Sequence, residues 1–94
     1  MGLYSHAEGQ LTTATGGKAH TEGESTTATA RTSHAEGLST SSTGVAAHSE
    51  GRGTTAIGET AHAEGYYTVA TGNYSHAEGY STEANGVYSH TEGF

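Results

Sequence analysis

The chain has 94 residues, room for one domain, yet only 31% are hydrophobic, with a single Phe and no Trp, so a conventional apolar core is excluded. Three cations (Lys18, Arg31, Arg52) against ten Glu give a net charge of −7, which argues against nucleic acid or anionic lipid as partners. The lack of Cys excludes disulfides and thiolate metal sites and leaves the redox compartment undecided.

In chain order, Met1-Gly2-Leu3-Tyr4 carries neither a charged leader nor an apolar run. No signal peptide or membrane insertion is expected there, so delivery outside a cell would need lysis or another segment. From Ser5 onward the chain repeats: SHAEG-QL, TTATG-GK, AHTEG-ES, TTATA-RT, and so on to SHTEG before Phe94. Each heptad is five residues plus a two-residue link, which predicts a short strand and a turn. His recurs at a spacing of 14, and Glu follows each His by two residues. Gly closes the heptads throughout, with Ala30 as the exception. Low hydrophobicity alone would predict disorder, but a regular two-heptad unit predicts a solenoid. A coiled coil is excluded because no slot regularly carries Leu or Ile, and a recurrent Gly costs a helix about 1 kcal/mol each time.

Strand alternation puts the first and third slots of each heptad on one face. The first slot runs Ser5, Thr12, Ala19, Thr26, Ser33, Thr40 and onward, the third Ala7, Ala14, Thr21, Ala28, Ala35, Ser42 and onward. Every one of these positions is Ala, Ser or Thr. Such a size ceiling means two sheets pressed closer than the roughly 10 Å of ordinary face-to-face packing. The expected fold is all-β, a flattened solenoid over residues 1–94 with two strands per 14-residue turn. It should make about six and a half turns stacked at ~4.8 Å, about 30 Å in all. Gly at each strand end is expected to supply positive φ at the corners. Interior hydroxyls are expected to bond one another or the backbone. With open ends and no polar cap, the chain is expected to be a piece of a longer fibrous protein.

Catalysis is not expected. Ser5, His6 and Glu8 suggest a hydrolase triad, but alternation points Ser inward and the other two outward. The regularly spaced Gly does not cradle phosphate, since neither a strand-to-helix junction nor a Lys follows it. No cofactor is expected.

The outward residues of one sheet are unvarying: His6, Glu8, His20, Glu22, His34, Glu36, His48, Glu50, His62, Glu64, His76, Glu78, His90 and Glu92. Those of the other drift from Thr13/Thr15 through Ser41/Thr43 and Val69/Thr71 to Glu83/Asn85. An Ala-lined interior at about 25 cal/mol per Å² does not comfortably offset the ordering of the chain, so further burial between chains is expected. The unvarying sheet is the better candidate for that interface.

GNYSHAEGYSTEANG (residues 72–86) resembles the paired heptads of YadA-like trimeric adhesin heads. It is also similar to SHAEG repeats of phage tail-fibre and tailspike-like proteins. The resemblance implies a left-handed parallel β-roll, a homotrimer around an axis, and an extracellular, cell-surface or virion location with a host-surface receptor or glycan as a further partner. In those heads Val and Ile of the heptad face the partner chains. Here the seven His fall on the Val position and the following Glu on the Ile position. Ionisable pairs thus replace aliphatics, and His of one chain is expected to donate to Glu of its neighbour. Such partnering would raise the His pKa, a contribution lost as pH rises through the folded value.

Other readings of the same residues are a metal-binding trimer, with His6, His20, His34, His48, His62, His76 and His90 converging on the axis, and a solvated His/Glu face with the Thr sheet inward. The TxT pairs also resemble the ice-binding face of antifreeze solenoids, against the plain reading that Thr suits a wet strand. All six Tyr sit in links. Tyr66, Tyr67, Tyr74, Tyr80 and Tyr88 gather in the C-terminal third, either to bind a sugar or receptor or to cover the roll's edge.

Overall fold

A computed structural model describes residues 3–93. Met1 and Gly2, read above for a leader, and Phe94, the last residue of the 1–94 domain, lie outside the described residues. Thirteen strands alternate between two parallel sheets, and no helix occurs among the described residues. The wide sheet holds seven strands: β1 (His6–Gln10), β3 (His20–Glu24), β5 (His34–Leu38), β7 (His48–Arg52), β9 (His62–Tyr66), β11 (His76–Tyr80) and β13 (His90–Thr91). The narrow sheet holds six two-residue strands: β2 (Thr13–Ala14), β4 (Thr27–Ala28), β6 (Ser41–Ser42), β8 (Thr55–Ala56), β10 (Val69–Ala70) and β12 (Glu83–Ala84). Each strand pairs with the one a full turn away, residue n opposite n + 14, as in His6 with His20 and Thr13 with Thr27. The Cα extents are 33 × 22 × 9 Å. The thinnest of these is below the usual separation of two packed sheets.

What permits that thinness is the lumen. Its fully buried residues are Ala, Ser and Thr, among them Ala28, Ala35, Ala56, Ala63, Ala70 and Ala77, with Thr the largest. The inward slots are therefore those alternation picks out. Most interior hydroxyls are satisfied as expected: Ser42 bonds Ser49 at 2.8 Å and the His34 carbonyl at 2.6 Å. Thr54, Thr68 and Thr82 donate to the carbonyls of Glu50, Glu64 and Glu78. The hydroxyls of Thr21, Thr26 and Thr40 are buried without a hydrogen bond.

The glycines depart from expectation. Those after each Glu (Gly9, Gly23, Gly37, Gly51, Gly65, Gly79, Gly93) do take positive φ, 104–111°, but within or just after the wide-sheet strands. Those closing the other heptad (Gly16, Gly44, Gly58, Gly72) keep negative or extended backbone and are small for another reason. A Cβ there would run into the next turn's carbonyl oxygen, that of Gly72 in the case of Gly58. The left-handed corner residue is instead the second link residue: Leu11, Lys18, Ser25, Thr32, Ser39, Ala46, Gly53, Thr60, Tyr67, Tyr74, Ser81 and Tyr88, with Tyr4 before them, all at φ 53–67°. Left-handed backbone disfavours β-branched residues, so Thr32 and Thr60 need support. Their amides bond the carbonyls of Gly17 and Val45 in the preceding turn, and their hydroxyls bond the carbonyls just before them.

Candidate functional site: the His/Glu ladder

Because register is n to n + 14, identical side chains stack. On the outer face of the wide sheet the imidazoles of His6, His20, His34, His48, His62, His76 and His90 form one continuous pile, centroids 4.5–4.8 Å apart and planes within 1–23° of parallel. The carboxylates run beside them as a second column. From His34 onward each His faces a Glu of the turn below: His76 Nε2 to Glu64 at 3.2 Å, His62 to Glu50 at 3.3 Å, His90 to Glu78 at 3.3 Å, His48 to Glu36 at 3.5 Å and His34 to Glu22 at 3.9 Å. The Glu of the same strand lies at 3.5–4.0 Å for His6, His20, His34, His62 and His76. The columns are thus laced within a single chain. His62, His76 and His90 hydrogen-bond within the chain, whereas the buried Nε2 atoms of His20, His34 and His48 have no hydrogen-bond partner there.

This lacing does not raise His34 or His48. Burial, followed by the neighbouring His20, holds His34 below its ordinary value of 6.5 despite Glu22 and Glu50. Burial, then His34 and His62, does the same to His48. At His34 and His48 the expected direction is therefore corrected: burial of these stacked rings and the like charge of their His neighbours both oppose protonation. Among the carboxylates, burial together with hydrogen bonding and repulsion from Glu22 and Glu50 pushes Glu36 up to about 7. For Glu50 burial acts upward, but hydrogen bonds from Glu64 and His62 and the charge of His48 outweigh it, and its pKa falls. A proton is thus better held at Glu36 than at Glu50.

Each run of His, Glu and His offers ligand atoms within 4.8 Å of one another. Within one chain, however, parallel rings aim their nitrogens the same way. Two Zn–N bonds of about 2.0–2.1 Å at a tetrahedral angle span only ~3.3 Å, less than the ring spacing. The ladder alone is a poor chelator.

In the equivalent slots of later turns Ser33 and Ser75 are buried in the lumen, on the side of the strand away from His34 and His76. The outward column of the narrow sheet runs in register from Thr13 through Thr27, Ser41 and Thr55 to Val69 and Glu83.

The tyrosines pair on the two edges. Tyr66 stacks on Tyr80 at 4.9 Å and meets Tyr67 edge-on, with the Arg52 guanidinium 5.4 Å from the Tyr66 ring. On the opposite edge Tyr74 stacks on Tyr88 at 5.2 Å and donates to Glu59 at 2.9 Å. Each stack covers one face of its two rings, and Tyr67, Tyr74, Tyr80 and Tyr88 stay exposed. Sequence reading missed a shallow groove on that same edge near the N-terminus, lined by Leu3, Tyr4, Lys18, Arg31 and Val45 among others. Its signal was available, since all five are link residues of the second heptad type.

Among known protein families, the chain matches the YadA head domain repeat in two copies, over residues 7–29 and 49–75, together just over half its length. No curated protein and no solved structure matches it. With a 14-residue parallel roll, a lumen of Ala, Ser and Thr, and this repeat match in agreement, the chain belongs to the family of YadA head repeats, structural segments of trimeric surface adhesins.

Proposed function

We propose that the chain is a rigid segment of a homotrimeric fibre, in a bacterial surface adhesin or a phage tail fibre, with its wide sheet turned toward the trimer axis. The observation that carries this is the unbroken pile of seven imidazoles on one face, while the opposite face drifts from Thr to Glu. Repeats within one chain keep identical outward residues where a shared environment constrains them. Family membership makes a trimer the natural assembly. With a carboxylate beside the imidazole in every repeat, the ladder offers an axis-facing surface of hydrogen-bonding groups, a polar replacement for aliphatic packing.

The test has two parts. Sedimentation should give a mass near three times 9.5 kDa, and a monomer at micromolar concentration removes the reading. Acylation with diethylpyrocarbonate should spare His34, His48 and His62 in the trimer and reach them on dissociation. Equal labelling in both states would keep the trimer but move the ladder off the axis.

Two further readings keep specific support. The column Thr13, Thr27, Ser41, Thr55 presents hydroxyls at one height per turn, and thermal hysteresis would identify an ice-binding face. Three chains would also supply the convergence that the His columns lack individually, and metal analysis of the purified trimer would reveal an axial ion.

A further inference from the structure

The two edges of the roll carry matching residues in matching order. At the first link position, the edge after the wide-sheet strands presents Glu24, Leu38 and Arg52 in successive turns, and the opposite edge presents Arg31, Val45 and Glu59, with Gly17 a turn below Arg31 and Lys18 next to it. The four charged side chains Lys18, Glu24, Arg31 and Arg52 are exposed. Among the described residues none of Lys18, Glu24 and Arg31 has an ion-pair partner within 4.0 Å. Val45 is 39% exposed and lines, with Lys18 and Arg31, the shallow groove of its edge.

A closed ring of parallel, identical chains is built from unlike patches, so each chain must offer one edge to the other edge of its neighbour. Rotation about the axis leaves height unchanged. Residue n of the first edge then stands between residues n − 7 and n + 7 of the neighbour's second edge. It lies about 2.4 Å from each in height, half a strand spacing. Glu24 falls between Gly17, which Lys18 directly follows, and Arg31, Leu38 between Arg31 and Val45, and Arg52 between Val45 and Glu59.

We propose, resting on the trimeric reading above, that this edge-to-edge strip is the contact between neighbouring subunits. The second copy's Glu24 and Leu38 enter the groove beside Lys18, Arg31 and Val45, and its Arg52 meets Glu59. The strip supplies what the axial face does not: opposite charges and an apolar centre placed to hold neighbours at a common height. It holds whichever sheet faces the axis, because either orientation brings these edges together.

The decisive variant carries both Leu38→Cys and Val45→Cys. The native chain has no cysteine. Within one chain these positions lie on opposite edges of a body 22 Å wide, beyond the roughly 7 Å limit between Cα atoms for a disulfide. Oxidation should therefore give a covalent trimer on a non-reducing gel, reversed by reductant. In the cysteine-free chain, Glu24→Arg should weaken association at least about tenfold, and adding Lys18→Glu and Arg31→Glu should restore it. A chain that sediments as a trimer but neither cross-links nor responds to Glu24→Arg overturns this edge assignment and leaves the trimer intact. A chain that sediments as a monomer overturns both.

Discussion

The two sheets come from one repeat yet solve different problems. In the wide sheet strands mostly five residues long carry ionisable residues that register forces into like-with-like columns, so a carboxylate such as Glu64 lies between imidazoles of its own turn and the next. In the narrow sheet two-residue strands carry mostly neutral hydroxyls, and substitution by Val69, Glu83 or Asn85 leaves the register intact. A column of charges requires sameness, whereas a column of hydroxyls tolerates drift. Both rest on the same lumen.

The strongest way to break the comparison is to attack what the sheets share. Ala63→Leu places a large side chain where Ala63 is 0% exposed and should cost about 3 kcal/mol or more, abolishing the cooperative melt near neutral pH. Val69→Thr on the outer narrow face should stay within about 0.5 kcal/mol. Circular dichroism melting of both tests this, and a folded, barely changed Ala63→Leu chain would contradict the closed lumen.

The glycines sharpen it next. Gly65→Ala meets both a φ of +108° and the Gly79 carbonyl, whereas Gly58→Ala meets only a carbonyl. Ala30 already occupies the slot equivalent to Gly58. We expect a loss of about 3 kcal/mol for Gly65→Ala and about 1 kcal/mol for Gly58→Ala, measured by urea denaturation. The reverse order would show that the two sheets do not use glycine differently.

The smallest effect is in pH. His34 and His48 are held below 6.5 when folded, so the folded chain binds fewer protons than the unfolded one. Their contribution is complete above about 6.5 and is lost as pH falls through the folded values. Glu36, raised from 4.5 to about 7, acts in the opposite sense: its contribution is present below 4.5 and lost as pH rises through 7. The two partly cancel in the parent chain. Glu36→Gln leaves the histidines alone, so its Tm should drop more steeply than the parent's between about pH 7 and 5. His48→Asn should shift the slope the other way. A Glu36→Gln chain that gains stability on acidification would refute the desolvated ladder.

Much of this was legible in the residues. Slots limited to Ala, Ser and Thr gave the lumen, and the 14-residue recurrence of His gave the register. What periodicity could not convey was environment. The pattern puts His48 above His34, but only their stacking shows that desolvation outweighs the nearby Glu. The corners were equally hidden: Lys18, Thr60 and Tyr74 have no intrinsic taste for left-handed backbone, and hydrogen bonds to the preceding turn impose it. Gly, the residue that does signal it, was doing two other things.

Turn-on-turn register also makes the molecule a counter. Excising fourteen residues removes one layer and shortens the rod by ~4.8 Å, leaving every column continuous across the join. Excising seven turns everything downstream through half a revolution, so that threonines continue the histidine column and both edges exchange places. Length in such a segment is therefore adjustable only in whole coils.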